Sequence, residues 1–163
     1  MQREICFRGK SIEKGEWMIG NLLYLATGNY IQLFHSELRV KVIPESVGQF
    51  SGLKGFENDI AEVCIFLVSP SNPDNDQHFR GVIDFKNGKF VFVIHKYLKF
   101  DGSKSEWVNI STRYLPFYDE EIDEDGTYTV DYYDFLAMSS NLGEFNDDVE
   151  IVGNIFDNPD LIT

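Results

Sequence analysis

The sequence predicts a mainly β fold of the β-rich α+β class, and three observations support this prediction. Short segments alternate between apolar and polar residues at a period of two over most of the chain, which is typical of strands. Asn87-Gly88 lies between two such segments and favours a type I′ hairpin turn. Helical spacing of apolar residues is found in residues 132–142. With 163 residues, of which 43% are hydrophobic, the chain is long enough to enclose a core.

The N-terminal part predicts a small barrel or a strongly curled meander. Four strand patterns are separated by turn-forming residues, at residues 4–9, 16–25, 30–35 and 38–43. Pro44 ends the fourth strand, because proline has no amide hydrogen to donate to a sheet. Residues 44–59 contain three glycines and are expected to form turns.

The central part predicts one buried strand, at residues 61–68, followed by a polar loop and the hairpin. The two-residue turn pairs Lys86 with Lys89, and side chains then alternate across the two strands. The predicted core face of the hairpin consists of Gly81, Ile83, Phe85, Phe90, Phe92 and Ile94.

The C-terminal part predicts smaller elements. In chain order they are a strand within residues 107–115, a strand at 127–130, a short helix at 132–142 that stops near Gly143, and a closing strand at 149–156. The expectation is a single unit over residues 1–163. A division into a barrel-like subdomain, 1–60, and a second subdomain, 61–163, with the hairpin and the acidic part, stays open.

The net charge of −13 lies entirely in the last third of this acidic protein. Residues 116–163 hold fourteen Asp and Glu residues and neither Lys nor Arg. Such a segment opposes binding to nucleic acid, whose phosphates require basic side chains. It is either a solvated acidic face or a docking surface for a basic protein or a neighbouring subunit.

The sequence shows no pattern of a catalytic or cofactor site, so neither enzyme activity, a cofactor nor a metal is expected. None of the three histidines stands next to a nucleophile motif. An EF-hand loop with Gly126 at its sixth position would have Tyr132 where a bidentate Glu is needed. Cys6 and Cys64 are interpreted as buried reduced thiols. Residues 63–68, the longest apolar run, are too short to cross a membrane.

Three strings of sequence resemble the YopX family, which is carried largely by bacteriophages and prophages. The strings are Arg3 to Lys10 with the following Gly15-Glu16-Trp17, Pro44 to Lys54, and Glu150 to Leu161. The resemblance implies a β-rich fold and a phage or prophage origin, but no established activity. A cytoplasmic location in a bacterial host is expected because the N-terminal residues lack the apolar segment of a signal peptide. The chain departs from the family pattern at Asn58, where a glycine is usual, although Asn tolerates left-handed backbone.

The resemblance also selects candidate residues, which either determine the fold or form a shared surface site. They are Trp17, Glu45, Gly48, Gln49, Gly52, Glu57, Asp59, Gly153, Asn154, Asp157 and Asn158. The leading hypothesis is a non-enzymatic, self-associating module that binds another macromolecule, and a homo-oligomer is therefore expected. The alternative hypothesis is an accessory protein that binds single-stranded nucleic acid through the basic and aromatic residues near Trp17.

Overall fold

The computed structural model describes residues 5–66, 76–111, 127–139 and 149–163 and confirms a mainly β fold. The chain divides into two compact units, Met1–Glu57 and Asn58–Thr163, called unit 1 and unit 2 below. Several predicted features lie outside the described residues. They are most of the polar loop at 69–76, the end of the strand predicted within 107–115, the acidic residues at 119–126 and the helix stop near Gly143.

Unit 1 contains one curled antiparallel sheet, a half-barrel, as the sequence predicts. Its strands in chain order are β1 (Phe7–Lys10), β2 (Trp17–Leu25), β3 (Gly28–Leu33), β4 (Arg39–Lys41) and β5 (Gly48–Gln49). Their order in the sheet is β4-β3-β2-β1-β5. A 3₁₀ turn, Pro44–Ser46, precedes β5. The amide of Ile43 donates to the carbonyl of Lys10 at 2.9 Å, so the chain after β4 returns to the end of β1.

The concave side of this sheet is narrow, and small residues make the curl feasible. Ile31 and Val42 are fully buried there. A Cβ atom on Gly9 would lie 2.8 Å from Cγ2 of Val42, closer than real contacts allow, so the close approach of β1 to Val42 depends on glycine. The first strand begins at Phe7 rather than at residue 4, and Ile5 is exposed.

Unit 2 is built on a six-stranded antiparallel sheet. Its strands are β6 (Asp59–Phe66), β7 (Asp76–Lys86), β8 (Lys89–Asp101), β9 (Lys104–Asn109), β10 (Tyr128–Asp131) and β11 (Val149–Asn154). The sheet order is β10-β8-β7-β6-β11, and β9 pairs with the far end of β8. A helix, α1 (Tyr132–Ser139), follows β10 where the sequence predicts one, and a 3₁₀ turn, Pro159–Leu161, follows β11.

The register of the central hairpin is the predicted one. Lys86 pairs with Lys89 and Gly81 with Ile94, and both turn residues have positive φ, 53° at Asn87 and 81° at Gly88. The predicted register ends at a bulge, because Arg80 pairs with Lys96 and His95 is left as the additional residue. The turn chemistry therefore fixes the pairing as far as the bulge.

The predicted core face of the hairpin is correct except at Phe85. This ring is 38% exposed, although its cross-strand partner Phe90, with ring centroids 4.9 Å apart, is fully buried. The opposite face is buried as well, at Val82, Val91 and Val93. The C-terminal segment accounts for part of this burial, since Ile155 and Ile162 line a small cleft of 240 Å³ together with Val82 and Val93.

The core of unit 2 lies between the sheet and α1. Phe135 of the helix stacks on Phe92 at 5.2 Å between ring centroids and meets the edge of Phe79 at 6.0 Å. All three rings are fully buried. Two boundaries differ from the sequence prediction. The strand expected within 107–115 begins at Lys104, after a turn with positive φ at Gly102, and the closing strand ends at Asn154.

Candidate binding surface

The convex side of the unit 1 sheet gathers basic, aromatic and aliphatic side chains. Register places Lys10 opposite Trp17 and Tyr30 opposite Lys41, and directly opposed residues in an antiparallel sheet share one face. The residues of this surface, called the cationic face, are Arg8, Lys10, Trp17, Ile19, Asn21, Leu23, Tyr30, Gln32, Arg39 and Lys41. The set contains four cations and no carboxylate.

Trp17 is half-buried between two of these cations. The guanidinium carbon of Arg8 lies 4.6 Å from the Trp17 ring centroid, and Nζ of Lys10 lies 5.9 Å from it. Arg8 also lies 5.0 Å from the ring centroid of Phe56. Stacking between cations and rings holds the long basic side chains flat on the sheet, which preorganises the surface at its β1 edge.

A groove lies at the other edge of unit 1. It has a volume of 610 Å³, and its lining combines apolar residues such as Leu38 with the cations Lys14, Arg39 and Lys41. Glu13 is a carboxylate in the same lining. The groove thus offers apolar contact area beside an excess of positive charge, which suits a partner that is itself apolar and acidic.

The central sequence string folds into a tight hairpin within unit 1. The amide of Glu57 donates to the carbonyl of Gln49 at 2.8 Å, and the amide of Gln49 donates to Oε2 of Glu57 at 3.4 Å. A Cβ atom on Gly48 would lie 2.5 Å from the carbonyl oxygen of Glu57. Gly52 has a φ of 86° in the turn at the hairpin tip. These four candidates come together as determinants of backbone geometry, whereas Glu45 is exposed in the 3₁₀ turn.

The C-terminal string forms a second tight turn, within unit 2. Oδ1 of Asn154 accepts hydrogen bonds from the amides of Phe156 at 3.0 Å and Asp157 at 2.9 Å. Its Nδ2 donates to Oδ2 of Asp157 at 3.2 Å. The amide of Asn158 donates to the carbonyl of Asn154 at 2.9 Å. These bonds end β11 and turn the chain, so the string acts locally on the backbone.

The candidate Asp59 is connected to the C-terminal turn through the sheet. It is 3% exposed and pairs with Asn154 in the register of β6 and β11. Asn58, just before it, has a φ of 71°, the left-handed backbone that the sequence predicts at this position. Six of the eleven candidates therefore lie in unit 1 and five in unit 2.

Two titratable groups of unit 2, the buried Tyr132 and the half-buried His95, have perturbed pKa values. Burial raises the pKa of the Tyr132 hydroxyl, and the negative charge of Asp59 raises it further. Burial lowers the pKa of His95, and the neighbouring Lys96 lowers it further. Both shifts favour the neutral side chain, which fits packing positions.

The structure also brings together residues that the sequence analysis did not select. Arg39, Lys41 and Tyr30 belong to the cationic face, and the period-two spacing of Arg39 and Lys41 was the available signal. Cys64 is half-buried rather than buried, and its Sγ lies 3.8 Å from Nε2 of His78. Only the pairing of β6 with β7 reveals this contact, because fourteen positions separate the two residues.

Comparison with known proteins gives no relative: no protein-family model, curated protein or solved structure matches the chain. Within the four described ranges, no group of three or more His, Cys, Asp or Glu side chains is placed to hold a metal ion. No helix there combines the length and apolar character needed to cross a bilayer.

Proposed function

We propose that this chain is a non-enzymatic module, derived from a phage or prophage, that binds another macromolecule and associates with copies of itself. The observation that supports binding is the cationic face, where the described residues that the register places on one side of the sheet include four basic residues and no carboxylate. The proposed origin rests on the three sequence strings that resemble the YopX family.

The composition of the cationic face is that of an interface. Ile19 is 46% exposed at its centre, and Leu25, which alternation places on the same side of the same strand, is 44% exposed. Exposed aliphatic and aromatic side chains supply contact area, and the surrounding cations supply specificity for an acidic partner. Arg39 and Lys41 are themselves exposed and accessible to such a partner.

Charge asymmetry between the units supports self-association. Unit 1 holds seven basic and six acidic residues, a net charge of +1, and the remaining seven basic and twenty-one acidic residues give unit 2 a net charge of −14. Unit 2 of one copy therefore supplies the acidic partner that the cationic face of another copy requires. Such an association is heterologous, since two different surfaces meet.

Charge reversal on the cationic face tests this proposal. The double variant Arg39→Glu/Lys41→Glu should weaken self-association by roughly tenfold or more, measured by sedimentation equilibrium at low salt, because like charges then face each other. The control is Lys99→Glu/Lys104→Glu, which makes the same charge change at exposed positions of unit 2. A wild-type protein that stays monomeric at micromolar concentration would refute self-association.

Binding of single-stranded nucleic acid is the second candidate function, and the stacked arrangement of Arg8, Trp17 and Lys10 favours it. Nucleic-acid bases stack on aromatic rings while basic side chains neutralise phosphates. Fluorescence polarisation with labelled oligonucleotides should then show affinity that falls with salt and is lost in Trp17→Ala. Absence of binding at low salt would remove this candidate and leave the self-association proposal intact.

A further inference from the structure

Unit 2 carries a thiol and an imidazole side by side on the face of its sheet that α1 does not cover. Cys64 of β6 is directly opposite His78 of β7, and Sγ lies 3.8 Å from Nε2, within hydrogen-bonding distance for sulfur. The adjacent Val63 and Ile65 are fully buried in the core, so the alternation of β6 directs Cys64 away from it. Both Cys64 and His78 are half-buried and reachable from solvent.

The surroundings of this pair leave the imidazole available as a base. The ring of Phe100 meets His78 edge-on at 6.0 Å and restricts its orientation. The nearest cation along β7, Arg80, is held by Glu62, to which its Nε donates at 2.9 Å, and it lies over the ring of Trp107 at 4.2 Å. Arg80 is thus engaged with its own partners, and Nε2 of His78 lies within hydrogen-bonding distance of the sulfur.

We propose that Cys64 is a reactive thiol that His78 activates for exchange with low-molecular-weight disulfides. Nε2 of His78 accepts the thiol proton, and the thiolate then attacks one sulfur of the disulfide. A bond forms between Cys64 and that sulfur as the disulfide bond breaks. The leaving thiolate takes the proton back from the imidazolium, so the disulfide itself is the oxidant and the protons balance.

This modification site is separate from the proposed binding function, because it belongs to unit 2 and uses no residue of the cationic face. Cys6 offers an internal comparison within the same molecule. Cys6 is 6% exposed and is not part of the thiol–imidazole pair. We therefore expect Cys64 to be much more reactive than Cys6, and a mixed disulfide should form at Cys64.

Peptide mapping of the native full chain after treatment with oxidised glutathione tests the site directly. The expected product is a single adduct on the peptide that contains Cys64. The rate of iodoacetamide labelling of Cys64 near pH 7 should be roughly tenfold lower in His78→Asn, since asparagine cannot accept the thiol proton and less thiolate forms. His35→Asn is the matched control, because His35 is exposed in unit 1 at a φ of 56° that Asn tolerates.

The pH dependence of labelling separates activation from simple exposure. In the wild-type protein the rate should begin to rise at a lower pH than in His78→Asn, while both proteins reach the same rate at high pH. Identical profiles for the two proteins would overturn the proposal, as would preferential modification of Cys6. Because the mapping uses wild-type protein, the result does not depend on whether a variant folds.

Discussion

The two units of this chain differ in how many of their apolar residues are buried and how many are exposed. Among the described residues, unit 2 contains sixteen of the nineteen buried apolar residues, whereas unit 1 contains three. The distribution of exposed large apolar residues is the reverse, with eight of twelve in unit 1. Since burial of apolar surface dominates folding stability, we expect unit 2 to be the more stable unit, while unit 1 leaves more of its large apolar residues exposed.

The difference follows from how each sheet is covered. In unit 2, α1 packs on one face of the hairpin and the C-terminal segment on the other, so the strands read as nearly continuous apolar runs. In unit 1 the sheet curls on itself, which covers the concave face and leaves the convex face to solvent. Ile31 and Val42 accordingly form a small core. Substitutions that disturb this core should also affect the curl of the sheet.

Truncation of a core ring should produce the largest effect. Phe92→Ala removes a fully buried ring that stacks on Phe135, and we expect it to lower the free energy of unfolding by about 3–5 kcal/mol. Urea titration followed by circular dichroism measures this loss. The control is Phe100→Ala at a 60% exposed position, where the change should stay within about 0.5 kcal/mol. Equal losses in both variants would contradict the assignment of the core to the interior of unit 2.

The sequence predicted those features that depend on local chemistry. Asn87-Gly88 determined the hairpin register, and the polar residues and glycines of unit 1 indicated its strands. The exposed position of Phe85 was not predictable from the alternation that placed it on the core face, and the burial of Val82 and Val93 depends on where the C-terminal segment packs. Contacts between distant positions, such as Cys64 with His78, require strand pairing that local patterns do not define.

The candidate residues show the same limit. Gly48 and Gly153 lie where a Cβ atom would approach a neighbour within 2.5 Å, and Gly52 has a φ of 86°, and tight turns and close approach of this kind have a recognisable sequence pattern. The cationic face was missed in part, because Arg39 and Lys41 join Arg8 and Lys10 only after β4 and β1 take their places in one sheet. A surface assembled from separate strands has no sequence pattern of its own.

A pair of glycine substitutions compares the backbone tolerance of the two units. In Gly48→Ala the new Cβ would lie 2.5 Å from the backbone carbonyl oxygen of Glu57, which cannot move without disrupting the hairpin. We expect a loss of about 1–3 kcal/mol in the stability of unit 1. In Gly153→Ala the atom at 2.5 Å is Oδ1 of Asn158, the end of a side chain that can rotate away. The loss there should be smaller.

Amide hydrogen exchange checks both glycine variants, because it reports on each unit separately. Gly48→Ala should reduce protection in β1 and β5 and leave the core strands of unit 2 unchanged. A uniform loss of protection over both units would show that they unfold together. A larger effect of Gly153→Ala than of Gly48→Ala would mean that the side chain of Asn158 is fixed in place by its bonds.

The smallest expected effect is a dependence of folding stability on pH, which arises in unit 2 and not in unit 1. Burial, reinforced by Lys96, lowers the pKa of His95 below its ordinary value of 6.5, so the unfolded chain binds a proton more readily than the folded one. Stability from this group is therefore present above pH 6.5 and is lost as the pH falls through the lowered pKa of the folded state. Two charged residues, Asp84 and Lys86, line the same cleft as His95.

Urea midpoints measured from about pH 7.5 down to about pH 5.5 test this dependence. The midpoint of the wild-type protein should fall over this range, and His95→Gln should flatten the decline because glutamine does not titrate. His35→Gln, at an exposed position of unit 1, should leave the wild-type slope unchanged. The opposite result, a flatter curve in His35→Gln and an unchanged curve in His95→Gln, would place the pH-sensitive group in unit 1. It would contradict the contrast between a buried unit 2 and an exposed unit 1.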